Sequence, residues 1–458
     1  MRVCLLNSAE CSAPKDSLQR NVPALRVGVA SIAAVLRAGG HEVSILDPLA
    51  HNLPMGEVVG AICAFQPDLL GLPTYTEEVL DAAGIAEGVK QKRPHTLVVA
   101  GGYHVSALPE RSLGEFKGFD IAVIGEGEAA MEAIAGGVSP AEIPGIAWRD
   151  TDGTIRRNAP NGLFYGLDDL PLPAWELYDL SKYTYGLSVE ASRTCPSKCL
   201  FCYQATSDKT RHKSPEKFVD EVCLLRDKFG ANQFSFASAG SFPLHRDNSL
   251  AIMEGLEQRA PGIKWFTTAR ADRLDREVIA AMKRSGCCYV SLGIETGDQE
   301  ILSRCQKGLN LERAAESIRL LNEGGLETEL CFILGLPGET RDSLELTRRY
   351  ANRMRRHATM ASFAILTPYP GTEVFRMAEC GRNGLELATT DWSLYTKHSG
   401  LGLKHQGVTA RELRRWQFRL YMEFYFGSPV RTVKTLRSRN IRDVLSVERI
   451  AGLFRKLL

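Results

Sequence analysis

Short apolar runs alternate with longer amphipathic stretches over the first part of the chain. The stretch 27–40 has apolar residues at helical spacing and ends at two glycines, which predicts a helix. The apolar runs predict strands that end in small or turn-forming residues: 2–7, 41–47, 67–73, 96–102 and 120–128. This alternation predicts a doubly wound, Rossmann-like parallel sheet, whose ligands bind at the carboxyl ends of the strands.

A second alternating series begins at residue 187. The apolar runs here predict strands at 187–194, 233–239, 263–269, 289–295, 328–336 and 361–368. Helical stretches separate them, and the first begins with Ser214 as N-cap and Pro215 in its first turn. Six βα units predict a partial (β/α)6 barrel and not the full eight-unit form. We expect four regions: a Rossmann-like domain (1–149), an extended strap (150–186), the barrel (187–385) and a short helical C-terminal region (386–458).

Composition narrows the class of protein. The chain has 458 residues, which is too long for one ordinary core. Its formal net charge of +2 argues against a polyanion-binding protein, so no nucleic-acid partner is expected. No apolar run reaches about 18 residues, so no membrane span is expected. The first ten residues resemble a buried strand and not a signal peptide, so a cytoplasmic location is expected.

The 12 cysteines include one tight cluster. Nine are scattered, and we expect them to be small buried apolar residues. Cys195, Cys199 and Cys202 instead follow the spacing C-x3-C-x2-C within RTCPSKCLFCY. Three thiolates on one short loop suit an iron–sulfur cluster or zinc, but structural zinc normally takes a fourth ligand, and His212 is distant in sequence. On a four-iron cluster, three cysteines leave one iron open to a small molecule.

A C-x3-C-x2-C loop after the first strand of a βα barrel resembles the signature of radical SAM enzymes, and Phe201 fits that pattern. The resemblance implies a [4Fe-4S] cluster on the three cysteines, with S-adenosylmethionine chelated at the open iron. One-electron cleavage would give a 5′-deoxyadenosyl radical, which removes hydrogen from a small-molecule substrate. It also implies an electron donor of flavodoxin or ferredoxin type.

Other barrel segments carry the same resemblance. Segments 267–278 and 291–302 are similar to strands whose Arg and Glu contact S-adenosylmethionine, here Arg270 and Glu295. Taken alone, these two side chains also fit an internal ion pair. FILGLPGET, with Gly335 and Gly338, resembles the glycine-rich strand end that approaches the same cofactor, and TPYPGTEVF resembles the last-strand element near adenine.

The N-terminal segments resemble the cobalamin-binding domain of one radical SAM class. Tyr75 and Tyr103 either stack on a corrin or fill the space of an absent one, so cobalamin binding stays open. His104 either contacts the lower face of the corrin or is a hydrogen-bonded loop residue. No Asp-x-His-x-x-Gly motif is present, so cobalt ligation by a histidine of the mutase type is not expected.

Three reactions compete for this architecture: methyl transfer through cobalamin, dehydration of an aminosugar, and cyclisation or rearrangement. The short region after the barrel, and the small residues of FASAGSFPLHRDN where the class carries paired acids, loosely resemble the dehydratases of aminoglycoside (apramycin-type) antibiotic biosynthesis. We therefore favour dehydration, with methyl transfer as the alternative. Tyr203 is the candidate acid or base, unless it only packs beside the loop. Glu190 is the candidate contact for a substrate amino group, unless it points into the helix layer.

Overall fold

The computed structural model describes residues 1–11, 23–160, 165–183, 186–205, 209–238, 241–396, 400–429 and 432–433. The chain divides into two compact units. The first comprises Met1–Pro196, Tyr203–Ser235 and Tyr369–Gly371, and the second comprises Ser197–Cys202, Phe236–Pro368 and Thr372–Leu458. No helix among the described residues has the length and apolar character needed to cross a membrane.

The first sheet follows the predicted alternation closely. Its strands and helices are β1 (Arg2–Leu6), α1 (Val27–Ala38), β2 (Glu42–Leu46), α2 (Pro48–His51), α3 (Met55–Phe65), β3 (Leu69–Pro73), α4 (Val79–Lys92), β4 (Leu97–Gly101), α5 (Tyr103–Ala107), α6 (Pro109–Glu115), β5 (Ile121–Val123), α7 (Glu128–Ala135), β6 (Ile146–Arg149) and β7 (Ile155–Arg157). The strand order is β2-β1-β3-β4-β5-β6-β7. Strands β1 to β5 pair in parallel, which confirms the doubly wound sheet.

One core holds this sheet to its helices. Val3 and Leu5 of β1 pack in a cluster with Ala33 and Leu36 of α1 and with Met131 of α7. Small alanines on α1 let the helix approach the sheet closely, and Gly39 and Gly40 end it as predicted. Burial of this apolar face stabilises the sheet and fixes where its strand ends lie.

The edge of the first sheet carries an antiparallel hairpin that the sequence analysis did not predict. Strand β6 pairs antiparallel with β5, and β7 pairs antiparallel with β6. Strand β7 lies within the stretch predicted as an extended strap. Further along that stretch, Tyr178 donates a hydrogen bond to Asn7 (3.2 Å) and Tyr183 donates one to Asp47 (2.6 Å). These tyrosines bind polar groups that follow β1 and β2.

The second sheet and its helices comprise β8 (Leu187–Arg193), β9 (Arg211–His212), α8 (Pro215–Phe229), β10 (Gln233–Ser238), α9 (Arg246–Arg259), β11 (Lys264–Ala269), α10 (Arg276–Arg284), β12 (Cys287–Glu295), α11 (Gln299–Arg304), α12 (Leu311–Glu323), β13 (Glu327–Leu334), α13 (Arg341–Met354), β14 (Met360–Ile365), α14 (Glu373–Glu379), β15 (Leu385–Leu387), β16 (Leu403–His405) and α15 (Ala410–Phe426). The strand order is β14-β13-β12-β11-β10-β8-β9, and β11 to β14 pair in parallel. Single 3-10 turns occupy Pro140–Glu142, Trp175–Leu177, Leu180–Lys182, Ala271–Arg273 and Trp392–Leu394.

Strands β12 to β14 have one buried face and one half-exposed face. Along β13 the residues alternate strictly between the two, with Leu330 and Phe332 on the buried face and Glu329 and Cys331 on the other. Helices cover the outer face of a βα barrel, so the half-exposed face lines its interior. Charged and polar side chains on that face are therefore candidates for ligand contact.

Helix α15 closes the outer edge of β14. The Tyr425 hydroxyl accepts from the amide of Ala361 (3.0 Å) and donates to its carbonyl (2.9 Å). The Tyr421 hydroxyl accepts from the amide of Phe363 (3.2 Å), and Gln417 donates to its carbonyl (2.6 Å). Four backbone groups of an edge strand are thus satisfied by helix side chains. The predicted C-terminal region lies partly outside the described residues, and its described part adds an antiparallel β15–β16 hairpin to this helix.

Candidate functional site

The cysteine loop runs between β8 and β9. Cys195 and Cys199 are half-buried and Cys202 is exposed, and all three are reduced thiols. The amide of Cys195 donates to the side-chain oxygen of Gln204 (2.8 Å), and the amide of Cys202 donates to the carbonyl of Cys199 (3.0 Å). Local hydrogen bonds therefore shape the loop near its first and last cysteine.

Leu200 anchors the middle of this loop in the second unit. Its side chain is buried in an apolar cluster with Leu336, Leu366 and Val374, and Phe201 packs against the same cluster. Its amide donates to the carbonyl of Cys305 (3.1 Å), and its carbonyl accepts from the amide of Val374 (3.0 Å). A residue between two cysteines is thus held by packing and by backbone bonds on both sides.

A buried ion-pair network precedes the loop in the first unit. Arg193, at the end of β8, donates to Glu126 (2.7 Å), Glu128 (2.8 Å) and Glu190 (2.9 Å). Arg211 also binds Glu126. Burial lowers the pKa of Arg193, but the three carboxylates outweigh burial and raise it. Sequence reasoning missed Glu126 and Glu128 as site residues, although the GEGE motif at the end of β5 was visible.

The same network accounts for the position of Glu190. Burial raises the pKa of its carboxyl group, while the charge of Arg193 opposes that rise. The predicted role of Glu190, contact with a substrate amino group, stays a prediction, and Arg193 already neutralises the side chain in this structure.

Glu295 and Arg270 lie in one polar cluster of the second unit but do not pair with each other. Glu295 ends β12 with a left-handed backbone (φ 70°) and pairs with Lys307. Arg270 donates to both oxygens of Asp272 (3.0 Å each), to the hydroxyl of Ser197 (3.1 Å) and to the carbonyl of Lys307 (3.0 Å). The internal ion pair considered from sequence is therefore absent, and each side chain has another partner.

Lys307 connects this cluster to the cysteine loop. Its ammonium group lies 5.9 Å from the ring centre of Phe201. Burial lowers the pKa of Lys307, but the charges of Glu295 and, more weakly, of Cys199 outweigh burial and raise it. A cation beside a thiol favours the thiolate form that binds metal. Sequence reasoning missed Lys307 because nothing in its local sequence marks it.

The loop after β13 brings two predicted glycines beside a buried carboxyl group. Gly335 (φ 90°) and Gly338 (φ 80°) adopt left-handed backbone conformations. The amide of Gly335 donates to Glu339, which is 1% exposed, and burial raises the pKa of that carboxyl group to about 8. Within the described residues, Oε1 of Glu339 has no hydrogen-bond partner. This loop is thus a tightly packed turn at the carboxyl end of a barrel strand, and glycine lets its backbone adopt these conformations without strain.

The carboxyl edge of the first sheet carries an aromatic cluster. Strand β1 lies between β2 and β3, so the strand order reverses at β1, where doubly wound sheets bind ligands. Tyr75 (42% exposed) follows β3 and lies 4.6 Å below the guanidinium of Arg26, which pairs with Glu78. Tyr75 and Tyr103 (46% exposed) have ring centres 5.3 Å apart. An exposed pair of large rings at this edge suits a flat apolar ligand.

Tyr203 extends this cluster, while His104 lies inside the unit. The Tyr203 ring centre is 6.3 Å from that of Tyr103, and burial raises the pKa of its hydroxyl. His104 is 1% exposed, its Nδ1 lies 3.2 Å from the Thr76 hydroxyl, and burial lowers its pKa to about 4. The imidazole is therefore neutral at physiological pH. The structure thus brings Tyr75, Tyr103 and Tyr203 together.

The residue types at this site suit the implied cofactors, although the side chains are not arranged as a complete metal site. Within the described part of the chain, no three His, Cys, Asp or Glu side chains are arranged to hold a metal ion. Three cysteines on one loop, none of them in a disulfide, suit an iron–sulfur cluster, and Lys307 interacts with one of them, Cys199. The segment FASAGSFPLHRDN lies partly outside the described residues, at 239–240.

Comparison with known proteins gives matches for both halves. Residues 189–351 match the radical SAM superfamily, and residues 22–135 match the B12 binding domain. An uncharacterised methyltransferase of Pyrococcus horikoshii is 30% identical over 442 residues, which are 94% of each chain. The cytidylyl-2-hydroxyethylphosphonate methyltransferase of Streptomyces wedmorensis is 28% identical, over 84% of this chain and 82% of that protein. The anaerobic magnesium-protoporphyrin IX monomethyl ester cyclase of Rubrivivax gelatinosus is 28% identical, over 76% of this chain and 65% of that protein.

Solved structures agree on the fold. The cobalamin-dependent S-adenosylmethionine radical enzyme OxsB superposes with a TM-score of 0.72 at 18% identity, over 99% of this chain and 72% of that one. The radical S-adenosylmethionine methyltransferase TsrM of Kitasatospora setae has a TM-score of 0.69 at 21% identity, over 85% of this chain and 79% of that one. These likenesses confirm the predicted fold class, with its cobalamin-binding-like domain and radical SAM barrel.

The matches also separate the competing reactions. Aminosugar dehydration, which the sequence analysis favoured, has no support among these relatives, whereas the alternative, methyl transfer, does. The error has a clear origin, since that preference relied on chain length and on one segment and not on a diagnostic motif. The radical SAM match implies a [4Fe-4S] cluster and S-adenosylmethionine, and the B12 binding domain supports cobalamin. The chain belongs to the radical SAM superfamily, in the class that carries an N-terminal B12-binding domain.

Proposed function

We propose that this enzyme is a cobalamin-dependent methyltransferase that acts on a small molecule. The observation that carries the proposal is the 30% identity to a methyltransferase over 94% of each chain. Such similarity spans both the B12-binding domain and the barrel, so it concerns the combination of the two and not one domain alone. When bound, the cluster, S-adenosylmethionine and cobalamin supply one-electron cleavage and methyl-carrying chemistry.

In this proposal Cys195, Cys199 and Cys202 hold the cluster. Leu200 and Phe201 fix the loop between them by packing, and Lys307 supports thiolate character at Cys199. Because these contacts already order the loop, it loses less conformational entropy when the cluster binds. A protein of flavodoxin or ferredoxin type would supply the electron.

Glu295, Arg270 and the loop with Gly335 and Gly338 are proposed to bind S-adenosylmethionine. Glu295 offers a carboxylate that suits the amino group or the ribose hydroxyls, and the ion pair with Lys307 orients that carboxylate. Arg270 offers a guanidinium whose position Asp272 and Ser197 fix. The two left-handed glycines carry no side chain, so they add no Cβ atom that would keep a ligand away from their backbone.

Tyr75 and Tyr103 are proposed to face the corrin. Their exposed rings offer a large apolar surface at the point where ligands of doubly wound sheets bind. His104, the next residue after Tyr103, is buried and neutral, and it is proposed to support this surface from the interior of the unit. Tyr203 is proposed to extend the aromatic surface, and Glu190 to position Arg193, because each already packs or pairs in that way.

Isotope transfer tests the reaction. The protein is produced anaerobically with hydroxocobalamin, the cluster is reconstituted, and cobalamin per chain is measured by mass spectrometry after unfolding. The holoenzyme then receives S-adenosylmethionine with a deuterated methyl group, a chemical one-electron reductant and a small-molecule extract. We expect close to one cobalamin per chain, S-adenosylhomocysteine, and the deuterated methyl group in a product.

The outcome that contradicts methyl transfer is equally specific. Formation of 5′-deoxyadenosine without S-adenosylhomocysteine and without label in any product would favour cyclisation, as in the Rubrivivax relative. Cys195→Ala is expected to abolish cluster assembly. Cys380→Ala, at an exposed cysteine outside the loop, is the matched control and is expected to retain full iron.

A further inference from the structure

The half-exposed face of the barrel sheet carries a row of polar side chains that the proposed cofactor contacts do not use. They belong to three neighbouring strands: Tyr289 and Ser291 on β12, Glu329 and Cys331 on β13, and Ser362 on β14. All five are half-buried. We call them the interior polar row.

Hydrogen bonds join the interior polar row around one carboxylate. The Tyr289 hydroxyl donates to Oε2 of Glu329, and the Ser291 hydroxyl lies 3.4 Å from the same oxygen. Cys331 lies 3.1 Å from the Ser291 hydroxyl and accepts from the Ser362 hydroxyl (3.4 Å). The hydrogen bonds that the structure describes for the Glu329 side chain both go to Oε2, which leaves Oε1 for a ligand.

The neighbours of Glu329 are neutral. Burial, and then the charge of Glu329, raise the pKa of Tyr289 and raise that of Cys331 to about 11. Both side chains therefore stay protonated at neutral pH. In the part of the chain that the structure describes, no Lys, Arg or His forms an ion pair with Glu329.

This lack of a cation distinguishes the half-buried Glu329 from several buried glutamates. Glu295 pairs with Lys307, Glu221 with Lys213, and Glu128 with Arg193. Glu339 has no cation, but its raised pKa leaves it protonated at neutral pH. A half-buried carboxylate without a counter-ion is partly desolvated, and a cationic ligand would be attracted to it.

The interior polar row lies further from the carboxyl ends of the strands than the Glu295–Lys307 pair. Ser291 is in register with Glu329, and Cys331 with Ser362. Glu295, which ends β12, lies four residues beyond Ser291, or about 13 Å at the rise of a strand. A molecule bound at the row would therefore lie deeper in the barrel than the Glu295–Lys307 pair.

We infer that Glu329 binds the ammonium group of an amine substrate, with the hydroxyls of Ser291 and Ser362 beside it. This inference rests on the proposed function, because it places the substrate of that reaction. It also moves the predicted amino-group contact away from Glu190, which Arg193 already neutralises. An ammonium group would donate to Oε1 and form a charge-assisted hydrogen bond.

The test uses a small-molecule extract divided by cation exchange at pH 7 into a retained, cationic fraction and an unretained fraction. Holoenzyme, S-adenosylmethionine and reductant are incubated with each fraction, and S-adenosylmethionine consumption is expressed as a ratio to that without extract. We expect the cationic fraction alone to raise this ratio. Glu329→Gln keeps the shape of the side chain and is expected to reduce the increase about tenfold, because its neutral amide oxygen accepts only a weaker hydrogen bond from an ammonium group.

Glu327→Gln is the matched control, since Glu327 begins the same strand and is exposed. It is expected to respond like the wild type, and melting temperatures check that all three proteins are folded. The inference is overturned if only the unretained fraction acts, if neither fraction acts, or if Glu329→Gln responds like the wild type. Failure of the proposed function has a different signature: wild-type holoenzyme then gives no methylated product from either fraction, even where Glu329 controls S-adenosylmethionine consumption.

Discussion

Arg193, which lies two residues before the first cysteine of the loop, donates a 2.8 Å hydrogen bond to Glu128. Its other nitrogens bind Glu126 and Glu190, so one guanidinium joins the end of β8 to the loop after β5 and to α7. Both side chains of the Arg193–Glu128 pair are less than one-tenth exposed. The start of the cysteine loop therefore depends on an ion-pair network that the solvent barely reaches.

Arg193→Leu is expected to lower the stability of the protein by about 3–5 kcal/mol, because it leaves buried carboxylates without a counter-ion. It should also reduce iron uptake on reconstitution, because the loop loses its anchor. Thermal melting and iron analysis measure the two effects. Arg156→Leu is the control, since Arg156 forms an exposed pair with Asp150, and such surface pairs contribute little to stability. Equal losses in the two variants would show that the network does not anchor the loop.

Gly293→Ala should disturb the Glu295–Lys307 pair. A Cβ atom at Gly293 would lie 2.5 Å from Oε1 of Glu295 and 2.9 Å from Nζ of Lys307. One of these groups must then move, and we expect S-adenosylmethionine binding to weaken about tenfold, the effect of losing one charged hydrogen bond. Equilibrium dialysis with the reconstituted protein measures the affinity. Gly60→Ala, in a helix with open space around it, should bind normally. Unchanged affinity in Gly293→Ala would remove Glu295 from the cofactor site.

Gly371→Ala should collide with Tyr203. The added Cβ would lie 2.6 Å from Cδ2 of the ring, and φ at Gly371 is 87°, which is itself unfavourable for alanine. We expect a loss of stability that Tyr203→Ala partly relieves, because only the collision and not the backbone strain disappears. A double-mutant cycle on melting temperatures separates the two contributions. Strictly additive effects would mean that the ring has room to move aside.

Glu339 should make stability fall as the pH rises. Its pKa is about 8 in the folded protein, against 4.5 for an ordinary glutamate, because burial disfavours the charged form. The folded state therefore holds a proton that the unfolded state has lost, and this contribution is complete below pH 4.5 and lost as the pH rises through 8.

Melting temperatures between pH 6 and 9 test this contribution. Glu339→Gln should flatten the decline relative to the wild type. Glu412→Gln should not, because hydrogen bonds from Thr409 hold the pKa of Glu412 at about 2, so its titration lies below this range. Parallel curves for wild type and Glu339→Gln would show that Glu339 is ionised throughout.

The sequence was sufficient for the elements that combine a long apolar run with a clear stop. Strand β1 and helix α1 match their predicted positions within a residue or two, because their burial pattern and their terminal residues are local signals. Strands β6 and β7 have four and three residues, which is too short for a periodicity to emerge. Chain segments of that length form strands only because a neighbouring strand edge pairs with them.

The candidate site was predictable where a motif marks it. The spacing of Cys195, Cys199 and Cys202 is visible in one line of sequence. Lys307 and Glu128 could not be found in this way, because their partners, Glu295 and Arg193, are brought to them only by folding. Glu329 could be predicted only in part. The alternation in ETELCFIL places it on one face with Cys331, but the local sequence does not show that it lacks a cationic partner.

The contacts between α15 and β14 restrict how this barrel can change. The amides and carbonyls of Ala361 and Phe363 are the groups through which a further strand would join the sheet, and tyrosine and glutamine side chains already satisfy them. A further strand could be added at this edge of the sheet only by displacing the helix. The helix thus ends the sheet at β14, so on this side the number of strands is limited by the chain segment that follows the last of them.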